Sequence, residues 1–72
     1  METDLQIAQR RVRDAEAHVA RQRMTLDRLK AGGHSTELAL DLLKVFEDGL
    51  AQQRLALIRL QMDETFRAAP QR

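Results

Sequence analysis

The sequence contains no cysteine, no tryptophan and no tyrosine, and it has only two phenylalanines. The lack of cysteine excludes disulfide bonds, thiolate metal sites and cysteine nucleophiles, and it suits a reducing compartment. The shortage of aromatic residues argues against β-sheet, where they are common. Glycine and proline are also scarce, with three residues and one residue respectively. Most of the chain is therefore free of helix-breaking residues.

The chain is short, and its charges nearly cancel. Charged residues make up 32% of the sequence, but the formal net charge is only +1. Neither half is basic enough to indicate nucleic acid binding from charge alone. A single core in 72 residues is usually too small to stabilise a fold without disulfides, metals or self-association. Because no apolar run resembles a signal peptide or a membrane span, we expect a cytoplasmic protein with no membrane contact.

The strongest helix-breaking signal before Pro70 is the stretch 31–35, which contains two adjacent glycines. We predict one helix at about residues 3–30, a turn at 31–35 and a second helix at about 36–68. Either glycine can adopt the left-handed conformation that ends a helix, and Ser35 is predicted to cap the second helix. Pro70 prevents that helix from continuing, since proline has no backbone N–H. So short a turn places the two helices antiparallel.

A heptad repeat of mostly apolar residues runs along each predicted helix, which is typical of a coiled coil. In the first helix this seam comprises Leu5, Ala8, Val12, Ala15, Val19, Gln22, Leu26 and Leu29. In the second helix it comprises Ala39, Leu43, Phe46, Leu50, Gln53, Leu57 and Leu60. Gln22 is expected to fix the register of the two helices. We therefore predict that residues 1–72 form one all-α domain, an antiparallel two-helix hairpin of the coiled-coil type.

The second helix carries more large apolar residues than its seam uses. An outer stripe lies on the side away from the seam, within about 80° of arc. It consists of Ala51, Leu55, Ile58, Met62 and Phe66. A third group widens the seam near the turn and consists of Leu38, Leu42 and Val45. A lone hairpin would leave both groups in water, so we predict a symmetric homodimer that forms a four-helix bundle. The outer stripe is favoured as the dimer core over a surface for a different protein.

Gly49 is the one local misfit within the second helix. In an exposed helix interior, glycine costs about 1 kcal/mol relative to alanine. It either allows the close approach of another helix or marks a mild bend. Close approach in the dimer is the interpretation that we prefer.

The central part of the chain, residues 15–60, resembles a group of short uncharacterised helical-hairpin proteins from alphaproteobacteria. The resemblance rests on His18-Val19-Ala20 through Leu29, Gly33-His34-Ser35-Thr36, Ala39, Leu42-Leu43, Phe46-Glu47 and Leu50. The residue after the turn histidine is often acidic in that group and is Ser35 here. No activity is assigned to the group, so the resemblance implies a hairpin and no particular chemistry.

The two histidines are the main candidates for site chemistry, and each has a structural explanation. Asp14 and His18 lie four residues apart on one helix face, which allows a carboxylate–imidazole metal pair, but an ion pair is the favoured interpretation. His34 is expected either to pack on the second helix or to bond a free carbonyl at the end of the first. We predict no catalytic residue, no metal site and no cofactor.

Six arginines in the first helix suggest nucleic acid binding, because arginine contacts phosphate groups. They are Arg10, Arg11, Arg13, Arg21, Arg23 and Arg28. They are mixed with acidic residues, and no aromatic residue lies among them for base stacking. The sequence therefore favours a non-enzymatic protein–protein interaction module, a small dimeric adaptor or regulator that contacts a further protein. The alternative is a nucleic-acid-associated regulator that uses these arginines. An enzyme would need a cleft between subunits.

Overall fold

The computed structural model describes residues 1–68, which form two helices and, within that range, no strand. Helix α1 spans Asp4–Ala31 and helix α2 spans Glu37–Ala68. The two helices pack against each other as an all-α hairpin, as predicted. Pro70, the predicted stop of the second helix, lies outside the described residues.

Helix α1 begins with a pair of reciprocal hydrogen bonds. The backbone N–H of Gln6 donates to Thr3 Oγ1 at 3.1 Å, and the backbone N–H of Thr3 donates to Gln6 Oε1 at 2.8 Å. This capping box satisfies donors that have no partner within the helix itself. Asp4 adds a negative charge in the first turn, where the helix dipole is positive. These interactions explain why the helix begins at Asp4.

The end of helix α1 is closed by two backbone hydrogen bonds around Gly33. The N–H of His34 donates to the carbonyl of Leu29 at 2.9 Å, and the N–H of Gly33 donates to that of Lys30 at 3.1 Å. This is the Schellman arrangement, in which one residue must adopt a left-handed conformation. Gly33 takes that conformation with φ of 71°, whereas Gly32 is right-handed. His34 thus reaches the end of α1 through its backbone.

The cap of helix α2 lies one residue later than predicted. The carbonyl of Thr36 accepts the N–H of Leu40 at 2.9 Å, and the helix begins at Glu37. Thr36 therefore occupies the cap position, and Ser35 precedes it. The ring of His34 lies against Gly32, since a Cβ built on Gly32 would be only 2.8 Å from His34 Cδ2. The bond of His34 to the end of the first helix is made by its backbone N–H, and its ring contacts the glycine turn.

The core is a single line of contact between the two helices. Every residue of the two predicted seams is buried or half-buried. The central cluster consists of Val12, Val19, Leu26, Ala39, Leu43 and Leu50. Even there, no side chain of the described residues is less than 2% exposed, so the core is thin. Ile7, which lies outside the predicted seam, is also half-buried.

Polar contacts across the hairpin agree with the apolar register. The side-chain amide of Gln22 donates to the carbonyl of Ala39 at 3.0 Å, which is the cross-helix role expected of this residue. The rings of His18 and Phe46 stack with their centroids 5.7 Å apart. His18 and Phe46 lie at similar distances on either side of the glycine turn, whereas the long side chain of Gln22 reaches a residue of α2 that is about one helical turn closer to the glycines. The two contacts together fix how the two helices are aligned.

Candidate interaction surfaces

The predicted interface residues are all exposed on the hairpin. The most exposed are Leu38 at 80%, Phe66 at 73% and Val45 at 62%. The remaining ones are Leu42, Ala51, Leu55, Ile58 and Met62. Helix α2 therefore presents most of the large apolar side chains that the fold leaves in water.

The sequence reasoning missed one further exposed large apolar residue of α2, Leu40, which is 46% exposed. At 100° per residue it falls within the arc of the outer stripe. Lys44 and Glu47 follow it on that side of α2, so the apolar pattern is interrupted before Ala51. A longer window that tolerates charged residues would have found it.

The two apolar groups of α2 lie on different sides of the helix. The centres of the outer stripe and of the Leu38, Leu42 and Val45 group differ by about 125° at 100° per residue. Each group therefore lies on its own side of the hairpin. A single partner helix packed on one side covers only one of them.

An open groove between the helices continues the Leu38, Leu42 and Val45 group towards the far end of the hairpin. Its wider part, of about 420 Å³, is lined by Arg11, Ala15, His18, Val45, Phe46, Gly49, Leu50 and Gln53. Its narrower part, of about 260 Å³, is lined by Asp4, Ile7, Ala8, Arg11, Gln53, Ala56 and Leu60. Arg11 and Gln53 border both parts, so the two parts adjoin on the same side of the hairpin.

We call the side of α2 that borders this groove the groove face. It is a column of residues at helical spacing, of which only one is polar. Its members are Leu38, Leu42, Val45, Gly49, Gln53, Ala56 and Leu60. Gln53 and Leu60 also belong to the seam, where they are half-buried, so the groove face adjoins the seam on this side and is separate from the outer stripe.

The opposite side of the hairpin has a different character. A depression of about 290 Å³ lies there, and its lining includes four charged residues, Glu16, Arg23, Glu47 and Arg54. Arg23 Nη2 lies 3.7 Å from Glu47 Oε2, which is a loose ion pair across the two helices. Charged residues thus border the seam on this side, whereas the groove face borders it on the other.

Gly49 lies in the middle of the groove face, and the space beside it is open. A Cβ built at Gly49 would meet no atom within 4 Å apart from the neighbouring backbone of its own helix. The packing of α1 against α2 therefore does not require glycine at this position. Helix α2 also runs without interruption through Gly49. If glycine is needed here for close approach, the approaching group lies outside the single hairpin.

His18 borders the groove and is held by Arg21 and Phe46. Arg21 Nη2 lies 3.0 Å from His18 Nδ1, and the two rings of His18 and Phe46 are inclined by 19°. Because a guanidinium group only donates hydrogen bonds, Nδ1 is the acceptor. The predicted ion pair of His18 with Asp14 is therefore replaced by a contact with Arg21. The described residues contain no group of three or more His, Asp or Glu that could hold a metal.

The arginines of α1 are distributed over its surface, and part of their charge is locally balanced. Arg10 Nη1 lies 2.8 Å from Glu2 Oε1, and Arg23 faces Glu47 across the hairpin. Neither of the two described helices is long and apolar enough to cross a membrane. No protein-family model, curated protein or solved structure matches the chain.

Proposed function

We propose that this protein is a non-enzymatic interaction module, a small dimeric adaptor or regulator whose helix α2 provides the contact surfaces. Two hairpins would associate into a four-helix bundle of the coiled-coil type, and a further protein would bind to the apolar surface that remains. The lack of cysteine suits a role in the reducing cytoplasm. The observation that carries the proposal is the amount of surface that one hairpin leaves in water.

The accessible surface of the chain is large for its mass. It measures 6086 Å², whereas a compact monomer of 8.3 kDa is expected to expose about 4,600 Å². A standard protein–protein interface buries about 800 Å² on each partner. The excess of about 1,500 Å² is therefore sufficient for one such interface and part of a second.

The distribution of this surface supports self-association rather than an isolated hairpin. Soluble monomers rarely expose contiguous apolar patches of more than a few hundred Å². Helix α2 has apolar side chains on two sides in addition to its seam, and the core that it shares with α1 is thin. A second hairpin would bury one of these sides and would thicken the core. The other side would remain available to a different protein.

The mass of the protein in solution tests the proposal. Light scattering coupled to gel filtration should give twice the 8.3 kDa of one chain. The measurement is made at about 100 µM, where an interface with micromolar Kd is nearly fully occupied. A mass of one chain at that concentration would refute the dimer.

Charge substitutions then identify the side that is used. Ile58→Glu with Met62→Glu alters the outer stripe, and Val45→Glu alters the groove face. Ala17→Glu, at an exposed position on α1, is the matched control for an added charge. A dimer that keeps its mass in all of these variants would contradict an interface on α2.

A nucleic-acid-associated regulator is the second candidate, and one observation favours it. Arg10, Arg21 and Arg28 fall within about 20° of arc on α1. Retention on a heparin column separates the candidates, because phosphate contacts weaken steeply with salt. Elution below about 0.2 M salt, as expected of a chain with net charge +1, would leave the protein-interaction proposal in place.

A further inference from the structure

We propose that the groove face of α2 binds a second copy of this chain, with the two α2 helices antiparallel and related by a two-fold axis beside Gly49. This inference rests on the proposed function, because it requires that the chain self-associates. The outer stripe then remains exposed in the dimer and is available to the further protein partner.

The spacing of the groove face is symmetric about Gly49. Leu38 and Leu60 each lie 11 residues from it, Leu42 and Ala56 each lie 7, and Val45 and Gln53 each lie 4. In a two-fold contact, a residue that touches a position on the second copy is touched in turn by that position. An antiparallel crossing at Gly49 therefore places each residue of the column opposite its counterpart.

The sizes of the side chains suit this crossing. Leu42 faces Ala56 of the second copy, so a large residue meets a small one. At the axis, Gly49 faces Gly49, and no side chain separates the two backbones. The open space beside Gly49 in the single hairpin is where the second helix would lie. The ends of the contact are closed by Leu38 against Leu60.

Charges beside the groove face favour the antiparallel orientation. Asp41 and Arg59 are both exposed, and neither takes part in an ion pair among the described residues. They are 18 residues apart, which is five whole turns, so they lie on the same side of α2 but about 27 Å from each other. With the axis beside Gly49, Asp41 of each copy faces Arg59 of the other. The dimer thereby gains two ion pairs that one chain cannot form.

The competing arrangements form neither of these ion pairs. In a parallel dimer on the same face, the two Asp41 side chains lie on opposite flanks of the contact, and each Asp41 is about 27 Å along the helix axis from Arg59 of the other copy. An antiparallel dimer on the outer stripe has its axis between Ile58 and Arg59, because Ala51 then faces Phe66. That arrangement places the two Arg59 side chains together at the axis. The charge pattern of α2 thus selects the groove face and the antiparallel orientation.

Cross-linking tests the orientation directly, because the natural chain has no cysteine. Asp41→Cys and Arg59→Cys are prepared separately, one with an affinity tag, and are refolded together before treatment with a short bismaleimide. We expect the mixture to give a cross-linked heterodimer and neither variant to cross-link with itself. The absence of this heterodimer from a chain that is dimeric in solution would indicate another arrangement, such as a parallel dimer, and would overturn the inference. Self-linking of Arg59→Cys alone would indicate the outer stripe and would also overturn it.

A matched control and a mass measurement separate the possible failures. Ala17→Cys, exposed on the side of α1 away from the seam, should not cross-link in any mixture. Light scattering is performed on each variant before cross-linking. A monomeric wild-type chain would refute the proposed function together with this inference. A dimer with the wrong cross-linking pattern would refute only the inference.

Charge reversal gives an independent readout. Asp41→Arg and Arg59→Asp should each raise the Kd of the dimer by roughly threefold to tenfold, since two exposed ion pairs are lost. The double variant should recover most of the wild-type affinity, because opposite charges face each other again. Without recovery, the two residues are not in contact across the dimer, and the proposed register is wrong.

Discussion

Replacing Gly49 with alanine separates the folding of the hairpin from its self-association. Within one hairpin the added methyl group meets no atom within 4 Å, so it causes no clash. Alanine is more favourable than glycine inside a helix by about 1 kcal/mol. A gain of this size raises the midpoint of thermal unfolding by about 4–8 °C in a domain of this length. The isolated hairpin should therefore become more stable.

In the dimer the same methyl group lies where the two α2 backbones are closest. Inserting a methyl group into a well-packed contact costs about 1–3 kcal/mol. The Kd of the dimer should therefore rise by about tenfold, since each 1.4 kcal/mol corresponds to a factor of ten. Gly49→Ala is expected to stabilise the chain at low concentration and to weaken its association.

Two measurements on the same samples reveal the opposing effects. Sedimentation equilibrium gives the Kd, and circular dichroism gives the unfolding midpoint at concentrations below and above that Kd. Lys44→Ala, on the other side of α2, is the control for a change to alanine and should leave the Kd almost unchanged. If Gly49→Ala raises the midpoint equally at every concentration and keeps the wild-type Kd, then Gly49 has no packing role.

Substitutions at four further positions test the hairpin itself. Gly33→Ala should lower the free energy of unfolding by about 1–2 kcal/mol, because Gly33 has φ of 71°, and Gly33→Asn should lose less; chemical denaturation measures both. Leu50 is 7% exposed, so Leu50→Ala should lower the free energy of unfolding by about 2–4 kcal/mol. Leu55 is exposed, so Leu55→Ala should change the free energy of unfolding of a dilute monomer by less than about 0.5 kcal/mol. Thr3→Ala should cost about 1 kcal/mol and should increase hydrogen exchange only in the first turns of α1, so a loss of protection along the whole chain would contradict a local cap.

The hairpin is predictable from the sequence because its core depends on local periodicity. Residues such as Val19 and Leu50 recur at heptad spacing, and a short turn leaves only one way to bring their faces together. The ends of the helices are less predictable. Gly32 and Gly33 are equivalent in the sequence, and only the bonds from the turn to Leu29 and Lys30 select Gly33 as the left-handed residue.

The surroundings of His18 were not predictable from spacing within one helix. Asp14 and Arg21 lie on the two sides of His18 at four and three residues, and both spacings place a side chain beside it. Phe46, which comes from the other helix, stacks on the imidazole ring. The contacts of His18 thus include a residue of the other helix, which spacing within α1 does not reveal.

The groove face could not be recognised as one surface from the sequence, because Gly49 and Ala56 have too little apolar surface to continue an apolar stripe. The sequence therefore indicated Leu38, Leu42 and Val45 as a widening of the seam and assigned Gln53 and Leu60 to the seam itself. The adjoining parts of the open groove beside Gly49 extend from Val45 to Leu60. If the second copy occupies that whole column, the outer stripes of both copies remain exposed and are related by the two-fold axis. A partner with two binding sites would then bind both stripes at once, and its affinity for the dimer would exceed that of a single contact.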